Sequence, residues 1–380
     1  MSYPALADMR KSLRIKWYRC PIETNRLHEL LQRSDWQGFK QAGGHLGLWL
    51  ITATTVYFFW SQQAWLPMIV ALLAHGVVTS FWVGVAPHEL GHGTVFRTPW
   101  LNKVFLYLFS IVSWWDPFDY ASSHTYHHRY TLHPNADREN LLPLVPNTRW
   151  SFLLQLMTFN LLTAKGRSFS KGGFIAALHV TILSAMGRHG PQDVPSNEWL
   201  AALHADQPQQ FRKSIWWSRF LLLVHGAVLV FSIVSGQWIF IFIVSLAAFT
   251  CNIQAYLVGL TQHCGLKEND TDFRKSVRSI SINPLLEFLY WHMNWHTEHH
   301  MFAGVPCYNL KKLHQTIRSD MPRPRTLREA WREMLDTYER QKTDPDYFFD
   351  TPVPAPVARA ATQKESELAS SIGELAPKGL

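Results

Sequence analysis

The chain has 380 residues, 47% of them hydrophobic, with a formal net charge of +8 and a mean hydropathy of -0.09. That length admits one large domain or two ordinary ones, and the basic balance would suit nucleic acid, but no nucleic-acid-binding motif is present. The four cysteines, Cys20, Cys251, Cys264 and Cys307, show no paired spacing, which excludes a disulfide framework and predicts reduced thiols.

Charge is unevenly placed along the chain. Residues 1–40 form a polar segment with eight Lys/Arg and no apolar core of the kind a cleaved signal peptide needs. No Asp, Glu, Lys or Arg occurs from Gln41 to His88 or from Phe220 to Leu266, runs of 48 and 47 residues. Each run accommodates two spans of about 20 residues. The first hairpin is predicted as His45–Trp60 and Leu66–Ala86, and the second as Phe220–Val234 and Trp238–Leu260. The turns at Ser61–Trp65 and Ser235–Gln237 are uncharged, while every other segment is rich in Lys/Arg. By the positive-inside rule both termini and the long intervening segments face the cytoplasm. The 17 tryptophans suit the membrane–water interface. The fold expected is an all-α integral membrane protein with four transmembrane helices in two hairpins.

Between and after the hairpins, Leu101–Trp114, Trp150–Leu162 and Gly173–Gly187 are apolar but short, and are expected in the interface or a core. Arg318–Gln341 reads as a charged surface helix around the Pro-rich turn Met321–Pro324. The expected organisation is a cytoplasmic segment 1–40, a membrane domain 41–345 and a disordered Pro/Ala/Ser-rich tail 346–380.

Three histidine clusters stand out: His88-Glu89-Leu90-Gly91-His92, His124-Thr125-Tyr126-His127-His128, and the stretch Trp291–His300, WHMNWHTEHH. On a helix, positions i, i+3 and i+4 share a face. His296, His299 and His300 would therefore point one way, with His292 a further turn back. All three clusters fall on one side of the predicted membrane topology, as a shared metal site requires. Of the other histidines, His75 and His225 lie within spans and are expected as neutral rings bonded to neighbouring helices. His28, His179, His189, His204 and His314 read as surface residues, and His133 as a candidate support for the second cluster.

His88–His92 also matches HExxH, the zinc-protease motif with Glu as general base. Such a site needs about three protein ligands and one open position, which leaves two further clusters unused. Eight or nine neutral imidazoles suit two metals, though imidazole alone does not choose the ion. An apolar substrate at the bilayer surface offers many C–H bonds to oxidise and few groups to hydrolyse. That favours iron with O2.

The pattern HxxxH, HxxHH, HxxHH around two hairpins resembles the membrane fatty acid desaturase family, over roughly residues 40–315. The resemblance implies a cytoplasmic helical cap holding two irons. It carries ligand roles onto His88, His92, His124, His127, His128, His296, His299 and His300. A ninth ligand just after the last span falls on His263, with His292 as the competitor. Glu89, Asp116, Asp119, Asp137 and Glu298 are close enough in sequence to orient the imidazoles. The implied reaction is O2-dependent desaturation of a membrane lipid or acyl chain. Hydroxylation of an apolar compound is the alternative on the same ligands. Two electrons would come from a separate donor of cytochrome b5, ferredoxin or rubredoxin type.

Overall fold

The two charge-free runs fold differently from one another. The structure, a computed structural model, describes residues 3–168, 172–191 and 195–354. The first run makes helix Gly44–Ser61, a tight turn with Gln63 at φ 55°, and helix Trp65–Ser80 packed back against it. A turn at 81–84, with Gly84 at φ 81°, leads into helix Val85–Gly91. The second run begins inside helix Pro208–Val234. Among the described residues two helical stretches, Trp65–Gly91 and Pro208–Val234, each 27 residues, are long and apolar enough to cross a bilayer.

The fourth expected span, Trp238–Leu260, is not one continuous helix. It divides into a π-turn at Ile241–Ser245, a 3-10 turn at Ala247–Phe249, a break at 250–252, and helix Ile253–Gly259. The backbone freed at the break pairs with residues 158–160. Asn160 N–H donates to the Phe249 carbonyl (2.7 Å) and Cys251 N–H to the Thr158 carbonyl (2.9 Å). Irregular backbone is tolerated in an apolar setting only where protein satisfies it in this way. The break also seats Thr250 directly against Gly76, where an added Cβ would collide with the Thr250 carbonyl.

The outer faces of these helices stay apolar. Leu66 is 74% and Val234 82% exposed, and Ile51, Val70, Leu223 and Val230 are also exposed. On the inner faces the two in-span histidines are bonded to neighbouring elements, as expected. His75 Nε2 lies 2.9 Å from the Ile243 carbonyl, and His225 Nε2 lies 3.0 Å from the Ile111 carbonyl. The short apolar segments form helices Pro99–Val112, Trp150–Met157 and Phe174–Ala185. The last of these packs along Pro208–Val234.

The remaining elements build a cap over the site. Leu6 of the N-terminal segment joins a buried cluster with Tyr126, Tyr130 and Leu203. Tyr18 bridges to Asp272. Among the described residues the only sheet is a parallel pair, Ile280–Ser281 with Arg325–Thr326. Helix Leu327–Gln341 opens on a capping box in which Thr326 and Glu329 each cap the other's backbone. The tail boundary expected at 346 moves outward. Phe349 N–H donates to the Gly265 carbonyl (2.9 Å), Lys275 pairs with Asp350 (2.8 Å) and Thr351 is buried. The rest of the expected tail, 355–380, lies outside the described residues. All four cysteines are free thiols.

Candidate metal centre

Each histidine cluster is carried by a helix. His88 lies in helix Val85–Gly91, with His92 at its C-terminal cap. His124, His127 and His128 lie on helix Pro117–Tyr130, whose N-terminus is capped by the Asp116 carboxylate. His296, His299 and His300 occupy the short helix His296–Met301. His263 follows the 3-10 turn Leu260–Gln262.

These rings assemble into two adjoining groups. One holds His88, His92, His124, His128 and His299, and the other His127, His263, His296 and His300; within each, the ligand atoms lie within 4.8 Å of one another. Helix geometry explains the sorting. Residues four apart are neighbours on one face, while consecutive residues diverge by about 100°. The i, i+4 pairs 88/92, 124/128 and 296/300 therefore each stay within one group. His127 and His299 turn to the group opposite their helical neighbours. The groups meet where His128 stacks on His300, with ring centroids 4.5 Å apart.

The donor set fits metal. Nε2 of His88 lies 2.7 Å from Nε2 of His299, that of His92 3.1 Å from His124, and that of His128 3.2 Å from His299. In the second group, Nε2 of His296 lies 3.0 Å from His263 and 3.1 Å from His300. Two nitrogens each about 2.1 Å from one ion, at right angles, stand about 3.0 Å apart. Outward partners set the tautomers. His124 Nδ1 meets Glu139 Oε2 (2.8 Å), His127 Nδ1 meets Asp137 Oδ2 (2.8 Å), and His263 Nδ1 meets the Ser276 carbonyl (3.1 Å). The Thr131 hydroxyl donates to the His127 carbonyl and so accepts from His300 Nδ1 (3.2 Å). With Nδ1 protonated outward, the Nε2 lone pairs face one another inward, an arrangement that a cation stabilises.

For His127 burial works downward, but the Asp137 and Glu139 carboxylates outweigh it and raise it to about 9; five other rings go the opposite way. Burial first, and then the neighbouring imidazoles, hold His124, His128, His296, His299 and His300 well below the ordinary histidine range, so each is a neutral donor at pH 7. For Asp137, burial would raise the carboxyl, but His127 and the amides of Leu132 and Glu139 outweigh it and bring it to about 2. Burial pushes Glu139 up to about 7.

Other candidates lie elsewhere. His292 is not a turn back on the HTEHHM helix. Trp291 and His292 take left-handed backbone, φ 51° and 57°, which breaks the chain between helices Pro284–Leu289 and His296–Met301. His292 Nδ1 instead pairs with Glu287 (3.2 Å). Glu89 is fully buried with Oε1 3.2 Å from His299 Nδ1. Asp119 accepts from His204, Asp116 from Ser214, and Glu298 from Ser279 and His314. His204 and His314, expected at the surface, are buried by these bonds. His133 accepts from the Asn135 amide in its own turn. Sequence reasoning missed Glu139, Thr131 and Tyr120, whose hydroxyl lies 2.9 Å from His88 Nδ1. Glu139 lies two residues after Asp137, in the loop that returns to His124.

A cavity of about 200 Å³ touches both groups through His88, His127, His263 and His296. Val83, Val85, Leu144, Leu260 and Met293 contribute apolar wall, and Glu139, Asn140 and Arg167 polar wall.

A mostly helical frame presenting nine imidazoles in two adjoining groups defines a protein with a polyhistidine site able to hold metal. The chain belongs to the fatty acid desaturase family. The family model described as fatty acid desaturase matches residues 63–331, which include all nine histidines. Members of this family are in general membrane-bound, iron-using oxidoreductases of desaturase or hydroxylase type. No curated protein matches the chain.

Proposed function

We propose that the protein is an O2-dependent di-iron membrane oxidoreductase that introduces a double bond into a fatty acyl chain. The observation carrying this reading is the meeting of two imidazole groups on one partly apolar cavity. His88, His92, His124, His128 and His299 would hold one ion, and His127, His263, His296 and His300 the other. Bound there, an iron pair supplies the activation of O2 and the oxidation of a C–H bond. The chain's own residues do the rest. Asp137, Glu139 and Thr131 fix the rings of His127, His124 and His300 through Nδ1, so that each turns Nε2 inward. The apolar wall accepts an alkyl segment and keeps water from it.

Four spans, with the histidine clusters and both termini cytoplasmic, belong to the same reading. The exposed apolar faces of helices Gly44–Ser61, Trp65–Ser80 and Pro208–Val234 support it, as does the placement of Lys/Arg outside the two turns. The chain has no haem, flavin or ferredoxin motif, so electrons come from a separate small carrier. Expression in a host of known lipid profile, followed by mass analysis of its acyl chains, tests the proposal. New species lighter by two hydrogens are expected. Species heavier by one oxygen would replace desaturation with hydroxylation, and an unchanged profile in cells holding the metal-loaded protein would reject both.

A further inference from the structure

One partly exposed residue, Trp17, touches a neighbour of each histidine group. Residues 13–17 lie outside any helix or strand, with Leu13, Ile15 and Trp17 half-buried and Arg14 and Lys16 exposed. The Trp17 ring stacks on Phe273, with centroids 4.1 Å apart and planes 9° from parallel. Phe273 is buried, and its ring centroid lies 5.6 Å from that of His300 in the second group. The Trp17 indole N–H also donates to the Arg129 carbonyl (3.0 Å), one peptide unit from His128 in the first group. A single partly solvent-facing indole is thus one residue removed from each group, through Phe273 to His300 and through the Arg129 carbonyl to the backbone next to His128.

The surface around that ring is basic. Arg14, Lys16 and Arg129 are exposed and, among the described residues, carry no ion pair. On the neighbouring segment Glu268 has no ion pair among the described residues and burial pushes it up to about 7, and the other acidic residues are engaged. Asp270 pairs with Lys267 (3.0 Å), Asp272 with Arg274 (2.8 Å) and Asp350 with Lys275 (2.8 Å). Unpaired positive charge on a rim steers an oppositely charged partner and sets its encounter rate.

We infer that the patch of Arg14, Lys16 and Arg129 around Trp17 is the docking site of a small acidic one-electron carrier protein, and that Trp17 and Phe273 bridge its electrons to the histidine groups. This rests on the redox reading above. Desaturation consumes O2, two electrons and two protons for each pair of hydrogens removed, and releases two waters. A carrier oxidised twice per turnover would supply the two electrons that return a ferric pair, held by the two histidine groups, to the ferrous state. Electron tunnelling falls steeply with distance, so a short packed path matters. The indole serves as a bridge and needs no oxidised state of its own. Anionic lipid headgroups could neutralise the same three cations, but headgroup binding gives no role to an indole that stacks on Phe273 beside one group and bonds the backbone next to the other.

The test uses the full chain in lipid nanodiscs with three purified acidic carriers: a b5-type cytochrome, a [2Fe–2S] ferredoxin and a rubredoxin. Binding is measured at low salt, and reduction of the metal centre is followed by anaerobic stopped-flow absorbance. The triple variant R14E/K16E/R129E is expected to weaken binding of the best carrier about tenfold or more and flatten its salt dependence. Trp17→Leu should leave that affinity unchanged and slow reduction by the carrier several-fold, with Trp17→Phe, which keeps the stack, intermediate. Reduction by dithionite should be the same in all variants. Three results overturn the inference: none of the three carriers binds the native chain, the triple variant binds its carrier as tightly as the native chain while losing anionic-vesicle binding, or Trp17→Leu is reduced by its carrier at the native rate. A centre that dithionite itself cannot reduce would overturn the di-iron reading instead.

Discussion

At the scale of single residues, the site depends on carboxylates that aim imidazoles as much as on the imidazoles. Asp137 is held by the Leu132 and Glu139 amides and receives His127 Nδ1. A neutral amide in its place would keep the shape and lose the charge. Asp137→Asn is therefore expected to lower metal affinity about 10–100-fold, read by chelator competition on the purified protein. His263→Ala should reduce bound metal, because His263 stands in the second group. His292→Ala should keep the native metal content, because His292 faces Glu287. Equal metal loss in the two alanine variants would contradict this placement. The histidine spacings were readable because a helix converts i, i+4 into adjacency. Glu139 was not, since it returns to His124 through a loop with no periodicity. The burial of His204 and His314 was hidden for a similar reason. The partner of His204, Asp119, comes from a helix far away in sequence, and Glu298 reaches His314 only because the chain folds back.

At the scale of elements, composition located the apolar segments and could not show where one of them breaks. Residues 238–260 read as one span, because every residue there is uncharged. The break at 250–252 depends on backbone partners at 158–160, a segment whose own sequence carries no sign of that role. Gly76 is the visible trace of this contact, since only a residue without a side chain admits the Thr250 carbonyl. Gly76→Ala is expected to destabilise the protein by about 1–3 kcal/mol, measured as a lower unfolding temperature in detergent micelles. Gly47→Ala is the control, because an added Cβ there meets nothing within 4 Å. A Gly76 variant as stable as the Gly47 variant would show that the break does not lean on that helix.

At the scale of the whole molecule, three clusters spread from His88 to His300 converge because their helices are gathered under one cap. The N-terminal segment, which read as a separate cytoplasmic stretch, takes part in that cap: Leu6 packs on the helix of the second cluster, and Trp17 stacks on Phe273, the ring next to His300. The apolar belts and the buried imidazole pair thus belong to one assembly, with the cavity between them. The most direct measurement of this account is metal analysis of the purified full-length chain beside its His296→Ala variant. The account predicts about two irons per native chain, with clear loss in the variant while helical content is unchanged. One zinc and no iron in the native chain, or full iron in the His296 variant, would contradict it.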